Sequence, residues 1–433
     1  MTQLSPRLRV LIVADDLSGA ADCAIPCVAA GLQTLVALGE AAHAAPASEA
    51  LALDADTRRL TPAAAAAQTA ALFRRFGGAG QIWFKKFDST LRGNIGAELA
   101  AALAARRDIE AGAFALIAPA FPATGRHTRG GHQYLDGVPV EETEVWRREG
   151  IQGRAHMPSM LEAAGLSATF VKLADVRGGT SRLRDALAQA GAGHDAVVCD
   201  AETEEDLHAI AAAGMALGQP VLWAGAAGLA RHLPAAAGLG HAAPKIAPLP
   251  PAEGPLLFVV GSMSGVSHAQ VERLTAEGGV RKLVIPPHVL RGGDGSAAWR
   301  DAQRELDAAL GLGEDIAVQL GMEEHVDVGE GLLLCQALSR LVAPFASRIG
   351  GLFSTGGETA RAILVAFGAA GLSLIGEIEP GVPLSITEGA QGGPHLLPVI
   401  TKAGAFGRAD TMLRCRAVLH QPSLLAGLVP NVN

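Results

Sequence analysis

Aromatic residues are scarce, at 4% of the sequence, and charged residues make up only 18%. Alanine and glycine dominate instead. That composition suits helices packed closely on sheets better than an aromatic-rich binding surface. Positive charge is also short. The net charge is -8 and no basic stripe runs along the chain, which argues against a nucleic-acid partner. The five cysteines (Cys23, Cys27, Cys199, Cys335 and Cys415) are odd in number and form no C-x-x-C, as expected of a reducing, cytoplasmic compartment. Cys23 and Cys27, four apart on an expected helix, read as core packing rather than half of a metal site, because no second ligand pair accompanies them. No uncharged apolar run reaches membrane-spanning length, and MTQLSPRLRV has no apolar signal core, so neither a membrane nor export is expected. Walker A, G-x-G-x-x-G, H-E-x-x-H and G-x-S-x-G patterns are all missing. Their absence argues against a P-loop, a classical dinucleotide site, a zincin and a serine hydrolase.

What the sequence does have is apolar material and rhythm. Hydrophobic residues reach 49%, ample for large cores, and 433 residues favour two domains. Apolar runs at 9–14, 33–38, 50–53, 81–84, 114–118, 168–173 and 196–199 read as buried strands. Alanine-rich stretches such as 62–76 and 96–106 read as helices. Strands separated by helices imply parallel pairing. Residues 232–255, rich in proline and glycine, break the rhythm and read as a linker. Strands then resume at 256–260, 282–285, 316–320, 351–354 and 396–402, with a long helix expected at 329–344. The expectation is two layered α/β domains with mostly parallel sheets and an interdomain cleft: 1–232, a 233–255 linker, and 256–433.

Open parallel sheets bind ligands outside the carboxyl ends of their strands. Six polar clusters fall at such ends. In the first domain these are Asp15-Asp16, "KKFDSTLRGN" from Lys85 to Asn94, and "APAFPATGRHTRGG" from Ala118 to Gly131. Lys85, Lys86 and Arg92 could hold an anionic group, and Arg58 offers a planar fork for a carboxylate. Asp15, Asp16 and Asp88 could orient hydroxyls, and one of them could accept a proton. In the second domain, "GSMSG" (261–265), "STGGET" (354–359) and "TKAGAFG" (401–407) are small-residue loops that follow strands. The first two open helices, a form that lets backbone N–H groups approach an anion. Ser262, Ser264 and Thr359 add hydroxyls, and Lys402 adds a charge. Three such loops in one domain point to a polyphosphate.

Together, "ADDLSGAAD", "KKFDSTLRGN", "APAFPATGR", "GSMSG", "STGGETA" and "TKAGAFG" resemble, in order, the motifs of the four-carbon acid sugar kinase family, from about residue 8 to about 415. The resemblance implies phosphorylation of the terminal hydroxyl of a four-carbon sugar acid by ATP. Mg²⁺ would accompany the phosphates, the acid would sit in the N-terminal domain and the nucleotide in the C-terminal one. It implies substrate contacts at Asp15, Arg58 and the Lys85-Lys86-Phe87-Asp88 stretch, with Ser89 and Arg92 beside them. Nucleotide contacts are implied at Ser262 or Ser264, at Gly356, Gly357, Glu358 and Thr359, and at Lys402 and Gly404. Ser18 stands where the family usually has threonine. The 3-oxo-tetronate kinase branch tends to read "CSTFDST" at the second motif. "KKFDST" here is more similar to the threonate and erythronate branches, with D-threonate expected first and D-erythronate second. A nicotinamide-dependent sugar-acid dehydrogenase and a non-catalytic sugar-acid sensor are the competing readings. The first lacks its fingerprint, and the second would need no nucleotide loops. A homodimer is compatible with the sequence but not specified by it.

Overall fold

Val10–Ala14 (β1) is buried at all five positions, as are Thr34–Leu38 (β2) and Ala50–Asp54 (β3). Runs without polar alternation belong in a sheet covered on both faces, and that is their setting. The computed structural model describes residues 8–38, 48–240, 249, 251–323, 330–389, 396–404 and 406–427, in two compact units. The first ends by residue 240 and the second starts by residue 249. The expected linker therefore divides. The helix Leu233–Ala236 goes with the first unit, Leu249 is buried in the core of the second, and most of the segment between lies outside the described residues.

The first unit adds Ile82–Lys86 (β4), Phe114–Ala118 (β5), a three-stranded antiparallel sheet of Arg126–Arg129 (β6), His132–Leu135 (β7) and Val138–Pro139 (β8), then Ala168–Val171 (β9), Ala196–Cys199 (β10) and Val221–Gly225 (β11). Its main sheet runs β2-β3-β1-β4-β11-β5-β10-β9, with every pair parallel. The chain leaves β1 to build β2 and β3 on one side and returns to build β4 on the other. Such a reversal opens a crevice at the strand ends. The register sets Ala14 beside Asp54 and beside Lys86. Residues 15–16, 55–58 and 87–92 therefore leave the sheet at one level. Leu17–Ala29 (α1), Pro62–Phe76 (α2) and Ile95–Ile109 (α3) connect these strands. Thr61 accepts from the Ala64 N–H and Pro62 opens α2, both standard helix-start devices. Cys23 and Cys27 are free thiols inside α1, where burial raises both pKa values, that of Cys27 to about 12. They pack rather than react.

The second unit holds Leu256–Val260 (β12), Arg281–Ile285 (β13), Ile316–Leu320 (β14), Gly351–Thr355 (β15), Ala369–Glu377 (β16), Pro383–Gly389 (β17) and Pro398–Lys402 (β18). Within the unit the order is β13-β14-β12-β15-β18-β17-β16. The first five strands are parallel and β17 and β16 antiparallel. The core is built on fully buried side chains such as Phe258, Phe353, Leu384 and Ile400. Each large apolar side chain so buried contributes about 1.5–3 kcal/mol.

Several details depart from expectation. The strand expected at 168–173 is Ala168–Val171, and Leu173 opens the short helix Leu173–Val176. β11 was not anticipated, because "VLWAG" runs into further small residues and presents only a short apolar core. The hairpin β16–β17 carries register shifts that blur its alternation. The expected helix 329–344 is Gly331–Val342 followed by a 3-10 turn from Ala343 to Arg348. Pro344 has no N–H to continue the α ladder, and Gly329 lies outside the described residues.

Candidate active site

Asp15 and Asp16 follow β1 and do different work. Asp16 is the N-cap of α1 and accepts from the Gly19 N–H at 3.0 Å. Asp15 is buried and receives Arg58 Nε at 2.8 Å and Lys86 Nζ at 3.4 Å. Arg58 Nη2 also reaches Asp16 at 3.0 Å and Asp88 at 3.7 Å. Asp88 is forked by Arg92 (Nε at 2.9 Å, Nη2 at 2.7 Å) and also takes the Thr90 hydroxyl. Gly19 is required here: a Cβ would lie 2.2 Å from Lys86 Nζ.

Opposite charges outweigh desolvation throughout the cluster. Burial alone would raise the pKa of Asp15, but Arg58, then Lys86, bring it down to about 2. Burial would likewise raise Asp88, and Arg92 followed by Arg58 holds it well below the usual carboxylate range. Burial would lower Lys86 and Arg58, and Asp15, then Asp16, raise both. The loop that presents Asp88 and Arg92 is strained, since Leu91 sits in the left-handed region at φ 59°. Leu91 is buried, its N–H bonds the Asp88 carbonyl at 2.9 Å, and the Trp146 indole donates to the Thr90 carbonyl at 2.6 Å.

Lys85 is a correction. Adjacent strand residues point to opposite faces. Lys86 joins the cluster, whereas Lys85 is fully buried, 3.4 Å from Glu98 of α3 and bonded to the Lys86 carbonyl. Glu98 in turn takes the hydroxyls of Thr57 and Thr69. Lys85 therefore braces the floor of the site instead of lining it. Phe87 is buried and Ser89 half-buried, its carbonyl taken by Gln133.

In the second unit, the loops after β12, β15 and β18 leave adjacent parallel strands, with Val260 beside Thr355 and Thr355 beside Lys402. They pack tightly. A Cβ on Gly261 would lie 2.1 Å from Thr359 Oγ1, and one on Gly404 would lie 2.0 Å from Ser262 Oγ. Ser264 caps the helix Gly265–Gly278 by accepting from Val266, and Ser262 Oγ accepts from the Ser264 N–H. The helix Gly357–Ala366 starts differently. Its cap is Gly356, at φ 96°, which has no side chain with which to cap the first turn. That end is suited to an anion, despite Glu358 in its first turn.

Two expected nucleotide contacts turn inward. The Thr359 side chain is buried, its hydroxyl 3.2 Å from Cys335 Sγ and packed against Gly261 and Gly356, where it supports the loops from beneath. Lys402 is buried beneath its own loop and donates to the carbonyls of Ala403, Gly404 and Phe406 at 3.0, 3.1 and 2.9 Å. Its donors serve the loop's own carbonyls, and burial lowers its pKa to about 8.

Residues 10–233 match a sugar-binding N-terminal domain, and residues 257–412 match a nucleotide-binding C-terminal domain. The chain is 47% identical to a D-threonate kinase from Cupriavidus necator, over 92% of this chain and 94% of that protein. It is 34% identical to a D-threonate kinase from Bordetella bronchiseptica, over 95% and 97%.

The chain belongs to the four-carbon acid sugar kinase family.

A D-erythronate kinase from Heliobacterium modesticaldum is 28% identical over 94% of this chain and 96% of its own. A solved structure from Salmonella typhimurium shares the fold, with TM-score 0.76 at 20% identity, over 94% of this chain and 98% of that one. As a member of this kinase family, the chain carries its two clusters in the domains that the family matches to sugar and to nucleotide. One residue near the sugar-side cluster lies in a motif that the sequence nominates, "APAFPATGR", without being singled out there: Arg126. Residue type and spacing give it no rank among the polar residues of that loop, and only its surroundings single it out.

Proposed function

We propose that the protein transfers the terminal phosphate of ATP to the chain-end hydroxyl of a four-carbon sugar acid. D-threonate is the first candidate, D-erythronate the second and the 3-oxo acid the third. The observation that carries the choice is the 47% identity to a D-threonate kinase over 92% of the chain.

The geometry supports this reading. Phosphoryl transfer depends on positioning and charge neutralisation more than on covalent chemistry by the protein. Asp15 is held rigid by Arg58 and Lys86 and can accept a hydrogen bond from the acceptor hydroxyl, aiming its oxygen. With its pKa at about 2, Asp15 is a weak proton acceptor. Its contribution is orientation and negative charge, with the proton leaving late. Asp16 carries the same pair of cations but is committed to capping α1, and Asp88 is closed by Arg92. Asp15, whose two oxygens take Arg58 and Lys86 and which the family motif names, is placed first among the three.

In the second unit, the N–H groups that open the helix Gly357–Ala366 and the loops at Ser262 and Gly404 fit a phosphate chain. ATP supplies the phosphoryl group. Mg²⁺, which usually keeps few protein ligands, fits a site held mainly by phosphate oxygens. Among the described residues no group of three or more His, Cys, Asp or Glu is placed to hold an ion.

The test is kcat/KM for D-threonate, D-erythronate, the 3-oxo acid and a neutral tetrose, each with ATP and Mg²⁺. Highest efficiency on D-threonate is expected. Preference for the 3-oxo acid would overturn the branch assignment, and turnover with no four-carbon acid would overturn the reading.

A further inference from the structure

The cations that the sequence nominates for gripping a carboxylate are already matched by the protein. Arg58 and Lys86 share Asp15 and Asp16, Arg92 has Asp88 with Glu149 at 3.7 Å, and Lys85 has Glu98. A substrate carboxylate could take any of them only by displacing or sharing a buried partner.

Arg126 differs. It opens β6, just beyond the carboxyl end of β5, and its backbone is pinned on both sides by Phe121, at 2.8 and 3.1 Å. Its Nη1 donates to the Thr124 carbonyl, while its Nε is buried with no hydrogen-bond partner. Among the described residues it forms no ion pair. It follows β5, whose carboxyl end lies on the same edge of the parallel sheet as that of β4; burial lowers its pKa, with Asp88 and then Asp136 the carboxylates that oppose this and Arg92 adding to it. The oxygens of Asp88 are nevertheless occupied by Arg92 and Thr90. A half-buried guanidinium with a free buried N–H is a forked donor set without its acceptor, and a carboxylate is the acceptor that matches it.

We infer that Arg126 grips the carboxylate of the sugar acid and sets the preference for an acid over a neutral analogue. This rests on the kinase reading above. The pinned backbone fixes where the fork stands, so the carboxylate end is anchored while Asp15 addresses a hydroxyl. Arginine supplies two parallel donors and lysine only a point charge, so replacement by lysine restores part of the effect.

The experiment compares two ligands with the same hydroxyls, D-threonate and its neutral amide, D-threonamide. Their dissociation constants are measured by calorimetry on the native enzyme and on Arg126→Gln and Arg126→Lys, alongside KM and kcat for D-threonate. The native enzyme is expected to favour the acid by on the order of 100-fold. That preference should collapse to within about threefold in Arg126→Gln and return in part in Arg126→Lys, with the loss in KM rather than kcat. An undiminished preference in a folded Arg126→Gln, checked by its melting temperature, overturns the inference while leaving the kinase reading intact. If Arg126→Gln does not fold, an undiminished preference in Arg126→Lys overturns it equally. Native enzyme that neither binds nor phosphorylates any four-carbon acid overturns the kinase reading, and the inference with it.

Discussion

Arg58 is the hinge of the sugar-side cluster, and replacing it with methionine keeps its stem while removing its charge. The guanidinium lies 2.8 Å from Asp15, 3.0 Å from Asp16 and 3.7 Å from Asp88. Without it, Lys86 alone faces Asp15 and Asp16, at 3.4 and 3.7 Å. Asp15 is lowered from 3.8 to about 2 in the native protein. That shift corresponds to roughly 2–3 kcal/mol of stability for this carboxylate alone. Removing one partner of a buried pair also strands the other, and the usual cost is about 3–5 kcal/mol. Arg58 retains 21% side-chain exposure, which brings the expectation towards the lower end, about 3 kcal/mol at neutral pH.

The pH dependence carries a definite sign. In the native protein the folded pKa of Asp15 is depressed. Its contribution is therefore complete above pH 3.8 and is lost as pH falls towards 2. In Arg58→Met, burial is opposed only by Lys86 and Lys85 and the folded pKa rises. Protonation then relieves a stranded charge, so the stability gap between native and variant narrows as pH drops. Urea unfolding at about pH 7.5 and about pH 4.5, followed by tryptophan fluorescence, measures this. Trp83, Trp146 and Trp223 report on the first unit, leaving Trp299 in the second. A variant within about 0.5 kcal/mol of native at pH 7.5, or a gap that stays constant with pH, would refute the coupling described here.

Asp15→Asn is expected to lower kcat by on the order of 100-fold or more with little change in KM for the acid, measured in steady state. A near-normal kcat removes Asp15 from the chemical step. Gly404→Ala forces a Cβ to within 2.0 Å of Ser262 Oγ, and should raise KM for ATP by about tenfold or more while sparing KM for the acid. Equal effects on both substrates would place Gly404 outside the nucleotide site. Lys402→Met removes a donor from the carbonyls of Ala403, Gly404 and Phe406, each of which keeps one other donor (the Phe406 N–H, Ser267 Oγ and Gln270 Nε2 respectively), and should destabilise the second unit by about 1–2 kcal/mol, read by calorimetry. A large loss of ATP affinity with unchanged stability would instead return Lys402 to the phosphates.

The sequence by itself determined the layered architecture and the ends at which chemistry gathers. Continuous apolar runs such as Leu11 to Ala14 can be satisfied only inside a doubly covered sheet. Polar residues immediately after such runs gather at the strand ends, which is why Asp15, Lys86, Asp88, Ser262 and Gly356 are all nominated, although Lys85 and Lys402 turn away from those ends. The strand order was not legible, because a five-residue strand such as β11 carries no signal of its neighbours. It was tertiary structure that set β11 between β4 and β5. Tertiary structure also decided how charges are matched. Lys85 and Lys86 are neighbours in sequence, yet the pleat sends one to Glu98 and the other to Asp15. Lys402 looks like a phosphate ligand in "TKAGAFG" until the loop folds back over it. Arg126 is one polar residue among several in "APAFPATGR" until Arg58, Lys85, Lys86 and Arg92 are seen to be paired. Residue type and spacing determine which charges are available. Which of them are left over depends on distances between segments far apart in the chain, and only the folded protein sets those.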